Sequence, residues 1–218
     1  MKEQTNIHML GVPHTITSKD YVACAYTQKV LKFGKMFQNH PDYNIIHYGH
    51  PDSDLICDEL VPVVDPATFE EDYGHEAYKK KFFTFDVEDA TYKEYARNAT
   101  MEIFKRVKAH DIILPFWGAG NRPICDAVSA IHDVAVIEPG IGYSEGSWAK
   151  YKIFESYAMM HCVQTWQHCS HCDPKVWEIV IPNYFDLDEF EYKEEKEDYA
   201  LFLGRVYEGK GVHFAIET

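Results

Sequence analysis

Two groups of residues in this chain have the types and spacing for chemistry at a phosphate or a sugar. The first is the loop Gly204-Arg205-Val206-Tyr207-Glu208-Gly209-Lys210-Gly211. Set between a strand and a helix, such a loop turns backbone N–H groups and the positive helix end toward one point. Arg205 and Lys210 add two cations suited to a diphosphate. The same residues can also be an ordinary solvated loop. The second group centres on Glu138, in Glu138-Pro139-Gly140-Ile141-Gly142-Tyr143. A carboxylate at a strand end can bind a ligand hydroxyl or move a proton, and it can equally satisfy N–H groups of its own loop. His14 can touch a ligand hydroxyl or a phosphate, or pack its loop. Trp117 can stack on a sugar face or close the edge of a core. Gly118 and Gly142 allow tight backbone turns.

Two other patterns are weaker. Gly118-Ala119-Gly120 and Gly140-Ile141-Gly142 each follow a strand and begin like a dinucleotide fingerprint. Both lack the third glycine, where Pro123 and Glu145 stand instead. His161-Cys162 and His168-Cys169-Ser170-His171-Cys172 resemble a zinc cluster without a second spaced pair, so packing or redox-labile thiols explain them better, and no metal site is expected.

The elements that must position these residues alternate along the chain. Strands are expected at residues 7–10, 43–48, 60–64, 111–116, 134–137, 177–181 and 199–203. Thr17-Ser18-Lys19-Asp20 has the form of a helix cap, and Val22, Tyr26, Val30, Phe33 and Phe37 follow on one helical face. Further helices are expected over 92–107, after Asn121 with Pro123 in the first turn, over 147–161 and over 211–217. Residues 65–89 read as a long loop or insertion. The alternation predicts an α/β fold, a Rossmann-like parallel sheet with helices on both faces. Ligands on such sheets bind at the carboxyl ends of the strands. That places the loops 11–16, 117–121 and 138–143 on one candidate face.

Charge narrows the partners. The 218 residues hold 21 Lys and Arg against 35 Asp and Glu, a formal net charge of −14. A broad basic face for nucleic acid is excluded, because phosphate contacts supply most of that affinity. A small phosphate pocket is not excluded. The N-terminus has no signal-peptide pattern and no apolar run is long enough to span a bilayer, so a cytoplasmic location with six reduced cysteines is expected. The acidic run at 186–198 reads as a linker.

Val180-Ile181-Pro182-Asn183-Tyr184-Phe185-Asp186, then Leu201-Phe202-Leu203-Gly204-Arg205 and Lys210-Gly211-Val212, resembles the middle of a GT-B glycosyltransferase. It is similar to the large retaining family that includes phage- and cyanobacterial-type sugar transferases. Pro13-His14-Thr15, residues 25–30 and 138–143, and Phe154-Glu155-Ser156-Tyr157-Ala158 extend the resemblance over most of the chain. The resemblance implies an N-terminal acceptor domain over 1–185, a linker over 186–198 and the first βα unit of a donor domain over 199–218. It implies a sugar transferred from a nucleotide sugar to a hydroxyl acceptor without an essential metal or other cofactor. Gly204, Arg205 and Lys210 would bind the donor phosphates. His14, Trp117, Gly118, Gly142 and Tyr143 would line the acceptor site, with Glu138 as the candidate catalytic carboxylate. The rest of a donor domain is not in the sequence, so the chain is expected to be inactive alone, needing a second chain or a further C-terminal domain. The alternative is a non-catalytic Rossmann-like binding domain or partner-dependent module.

Overall fold

In the computed structural model, residues 4–74, 86–143, 145–167, 175–204, 206 and 208–217 are described. The strands β1 (Thr5–Leu10), β2 (Tyr43–Gly49), β3 (Glu59–Pro62), β4 (Ile112–Pro115), β5 (Ala135–Ile141), β6 (Tyr151–Phe154) and β7 (Glu178–Val180) form one sheet. Their order is β3-β2-β1-β4-β5-β6-β7, and each pairing is parallel. The helices are α1 (Ala25–Phe37), α2 (Pro66–Tyr73), α3 (Ala90–Phe104), α4 (Arg122–Ser129), α5 (Tyr157–Gln167) and α6 (Val212–Glu217). The chain forms two compact units, Met1–Tyr184 and Phe185–Thr218. The sheet and α1 to α5 belong to the first, and α6 to the second.

Alternate residues of the central strands feed two cores, as a sheet covered on both faces requires. On one face Leu10, Ile46, Tyr48 and Ile113 meet Tyr95, Ala99 and Ile103 of α3 and Ile124, Cys125 and Val128 of α4. On the other, Ile7, Met9, Ile45 and Leu114 meet Val30 of α1, with Phe33 and Phe37 packed alongside. A buried polar chain ties β1 to β4. Asp111 accepts Asn6 N and Asn6 Nδ2, both at 2.9 Å, and lies 3.3 Å from His8 Nε2. His8 Nδ1 pairs in turn with the Tyr48 hydroxyl at 2.8 Å.

The α/β reading therefore holds, but several elements differ from their sequence-based bounds. Helix α1 starts at Ala25 rather than after the Thr17–Asp20 pattern, and Val22 is exposed. The N-cap of α1 is Cys24, and Thr17 lies in the preceding loop, held by its backbone. Its N–H meets Ser53 Oγ at 3.3 Å, and its carbonyl accepts Asp54 N at 2.8 Å. The segment read as a loop over 65–89 contains α2, whose start is fixed by Asp65 accepting Ala67 N at 2.7 Å and by Pro66 in the first turn. Residues 75–85 lie outside the described set.

Strand β5 runs on through Glu138, where the sequence suggested a turn, because its register with β6 shifts between Glu138 and Ile141. Such a bulge accommodates Pro139, which has no N–H to donate to the ladder. The helix expected over 147–161 is instead a loop, then β6, then α5. Lys152 is what hides β6 in the sequence. It is buried, and its ammonium pairs with Glu178 of β7 at 3.1 Å. Ser156 then opens α5, its hydroxyl accepting Met159 N at 3.2 Å. In the second unit, residues 199–203 make no strand, and Leu201 and Leu203 are exposed. A strand exists through its ladder partner, and none pairs with this segment among the described residues.

Candidate functional site

The sheet order reverses direction between β1 and β4, the switch point at which open α/β sheets leave a crevice. The loops leaving β1 and β4 are stitched together there by Asn121, which is fully buried. Its Oδ1 accepts Trp117 N at 3.1 Å, and its Nδ2 donates to Gly11 O at 3.4 Å. The Tyr95 hydroxyl donates to the same Gly11 carbonyl at 3.0 Å. Two glycine N–H groups that a phosphate could use are also bonded inside the fold. Gly11 N donates to Tyr48 O and Gly120 N to Trp117 O, both at 3.0 Å.

Between the β4 and β5 loops lies a cleft of about 290 Å³, lined by Tyr26, Val87, Trp117, residues 118–120, Tyr143 and Glu145. Its walls are built from the β4 turn outward. Gly118 has φ +47°, a left-handed value that a side chain would disfavour. A Cβ on Gly120 would stand 2.2 Å from the Trp117 ring, so that position admits glycine alone and lets the indole fold back under the turn. Trp148 Nε1 donates to Gly118 O at 3.0 Å, and the Tyr92 hydroxyl to Gly120 O at 2.7 Å. The Tyr26 and Tyr143 rings lie 5.6 Å apart.

The opposite wall is organised by Glu138. It is fully buried, and its carboxylate accepts the Tyr143 hydroxyl, Trp148 N at 3.1 Å, Ala149 N at 3.2 Å and Ser147 Oγ at 3.4 Å. Burial raises its proton affinity above that of an ordinary carboxylate, against the lowering pull of the Tyr143, Trp148 and Ala149 bonds and of Lys152. The Tyr143 phenol is pushed far up by burial and by the Glu138 charge, so it stays protonated and donates. Glu138 thus holds Tyr143 and residues 147–149, and it meets the cleft through Tyr143.

Of the residues singled out in the sequence, Trp117, Gly118 and Tyr143 line the cleft together. His14 lies behind them, buried, its ring 5.2 Å from that of Trp117. Burial lowers its pKa to about 4, so it is a neutral ring at pH 7. Gly142 abuts Glu155, whose Oε1 lies 2.0 Å from where a Cβ would stand. Glu155 pairs with Lys29 at 3.0 Å and accepts Asn183 Nδ2 at 3.0 Å. Lys29 also donates to Gly140 O. In the second unit, Gly204 is exposed, and Lys210 ends a short 3₁₀ turn before α6. Arg205 lies outside the described residues, as does the 168–172 part of the His/Cys cluster. Among the described residues no group of three or more His, Cys, Asp or Glu could hold a metal ion.

Three cleft residues were missed in the sequence: Tyr26, Val87 and Glu145. Tyr26 sits on the apolar stripe of α1, where its hydroxyl was the one sign of a wetter edge. Glu145 and Val87 belong to loops whose placement no local pattern shows.

No family model, curated protein or solved structure matches this chain. No helix among the described residues is long and apolar enough to cross a membrane.

Proposed function

We propose that the first unit is the acceptor-binding half of a glycosyltransferase that moves a sugar from a nucleotide sugar to a hydroxyl. The observation that carries this reading is the aromatic cleft at the carboxyl ends of the strands, walled by Trp117, Tyr143 and Tyr26. Aromatic rings with polar handles give a sugar both an apolar platform and hydrogen-bond partners. In this reading Glu138 positions Tyr143, and Tyr143 orients the acceptor. Gly204, Arg205 and Lys210 belong to the donor side through the resemblance of residues 199–212 to the nucleotide-sugar domain of GT-B enzymes.

A second reading has its own support. The order β3-β2-β1-β4-β5 is that of dinucleotide-binding sheets. The loop chemistry opposes it, because the N–H groups of Gly11 and Gly120 bond within the fold and the indole of Trp117 fills the space beside Gly120. Amide NMR of the full chain separates the two. Methyl glycosides should shift Gly118, Trp117 and Tyr143, while uridine and guanosine diphosphate sugars leave Gly11 and Gly120 unmoved. Dinucleotides or nucleotide sugars that shift Gly11 and Gly120, with glycosides inert, would replace the acceptor reading by a nucleotide site.

A further inference from the structure

The charge around the cleft bears on which ligands fit it. Glu145 is the one charged residue on its walls among the described residues, and the buried Glu138 lies one hydrogen bond behind Tyr143. Two neighbouring cations among the described residues have partners of their own, Lys29 in a part-buried contact and Arg122 in an exposed one. Lys29, one turn along α1 from Tyr26, is held by Gly140 O and by Glu155. Arg122, which opens α4 just after the 118–121 turn, pairs with Asp126 at 3.1 Å and lies over the Trp148 ring at 5.5 Å. The two carbonyls of the turn named above are also occupied, Gly118 O by Trp148 and Gly120 O by Tyr92. Among the described residues the cleft offers a ligand an aromatic wall and one exposed carboxylate.

Resting on the acceptor reading, we propose that the cleft binds one uncharged sugar ring and discriminates against sugars carrying phosphate or carboxylate. The volume of about 290 Å³ sits at the small end of ligand pockets, which span roughly 300–1,000 Å³, and so suits a single ring. A C–H face of that ring lies on the aromatic wall, and its hydroxyls reach Glu145, a good acceptor for neutral O–H donors. A phosphate in the same place would face Glu145 with Glu138 behind, and no described lining cation would neutralise it. Like charge across a binding surface is a standard means of rejecting a wrong partner.

The test uses the full chain and its tryptophan indole resonances, with Trp117→Phe assigning the Trp117 signal. Methyl glucoside, methyl mannoside and methyl galactoside are each titrated beside their own 6-phosphates. At least one methyl glycoside should shift the Trp117 signal to saturation, and its 6-phosphate counterpart should bind at least about tenfold more weakly. Glu145→Gln should narrow that ratio to about threefold or less. A trisaccharide ending in the same ring identifies the source: about tenfold tighter binding marks a glycan end, equal binding a free sugar. A 6-phosphate that binds as tightly as the methyl glycoside, or a ratio untouched by Glu145→Gln, would overturn the charge assignment while leaving the acceptor reading standing. If neither class moves Trp117, both fall together.

Discussion

At the residue scale the cleft depends on one carboxylate whose work is mostly architectural. Glu138 accepts two backbone N–H groups and two hydroxyls, and a carboxylate has the lone pairs to serve all four. Replacing it by Gln keeps the shape but turns half of the group into a donor. Trp148 N and Ala149 N both bond Oε2, so one orientation of the amide leaves them facing another donor. The other orientation sets its NH₂ beside the Tyr143 hydroxyl, which must then rotate. We expect Glu138→Gln to cost about 1–3 kcal/mol in urea unfolding and to broaden the Tyr143 and Trp148 signals. A variant as stable as the parent, with those signals sharp, would show that Tyr143 and residues 147–149 are held by other contacts.

At the element scale, β6 and β7 carry an ion pair where the central strands carry aliphatic side chains. Lys152 and Glu178 are 7% and 3% exposed, and Gln164 of α5 donates to the second Glu178 oxygen at 2.9 Å. Desolvating two charges nearly cancels their attraction, so the pair adds little net stability, whereas an orphaned partner is costly. Lys152→Met alone should destabilise by about 3–5 kcal/mol, and adding Glu178→Leu should restore most of that loss. Urea unfolding of the two single variants and the double variant closes the cycle. A double variant no better than the worse single one would show that the pair itself holds these strands in place.

At the scale of the whole molecule, buried histidines set the response to pH. Burial lowers the pKa of His14 and of His47 to about 4 from the usual 6.5, and shifts His8 and His50 in the same direction. Below pH 6.5 the unfolded chain takes up protons that the folded chain refuses. Stability is therefore complete above about 6.5 and is lost as pH falls toward 4, at about 1.4 kcal/mol per pK unit for each histidine. Glu138 acts with the opposite sign. Its raised value adds stability where it is protonated and removes it as pH rises through that value, which offsets part of the histidine loss at the acid end. Thermal melts at pH 7.5, 6.0 and 5.0 should show a falling midpoint, with a shallower slope in His47→Gln. A flat profile, or a slope unchanged in that variant, would contradict the role of these histidines.

The sequence by itself determined the layered α/β architecture, because strand-like and helical periods are local and survive without knowledge of neighbours. Residues 7–10, 43–48 and 111–116 alternate with helical segments, the pattern of a parallel sheet covered on both faces. It also brought Trp117, Gly118 and Tyr143 to attention, since loops after strands lie at one edge of a parallel sheet. Tertiary structure alone decided the rest, through bonds between residues far apart in the chain. The backbone of Thr17 is held by Ser53 and Asp54 in the loop ahead of α1, and the buried Lys152 of β6 is satisfied by Glu178 of β7. Glu138 could bind a hydroxyl or its own loop as far as the sequence goes. The fold decides by burying it and aiming the N–H groups of Trp148 and Ala149 at it. Local periodicity records which face of an element is apolar, but the partner of a buried polar group is chosen only when the chain has closed around it.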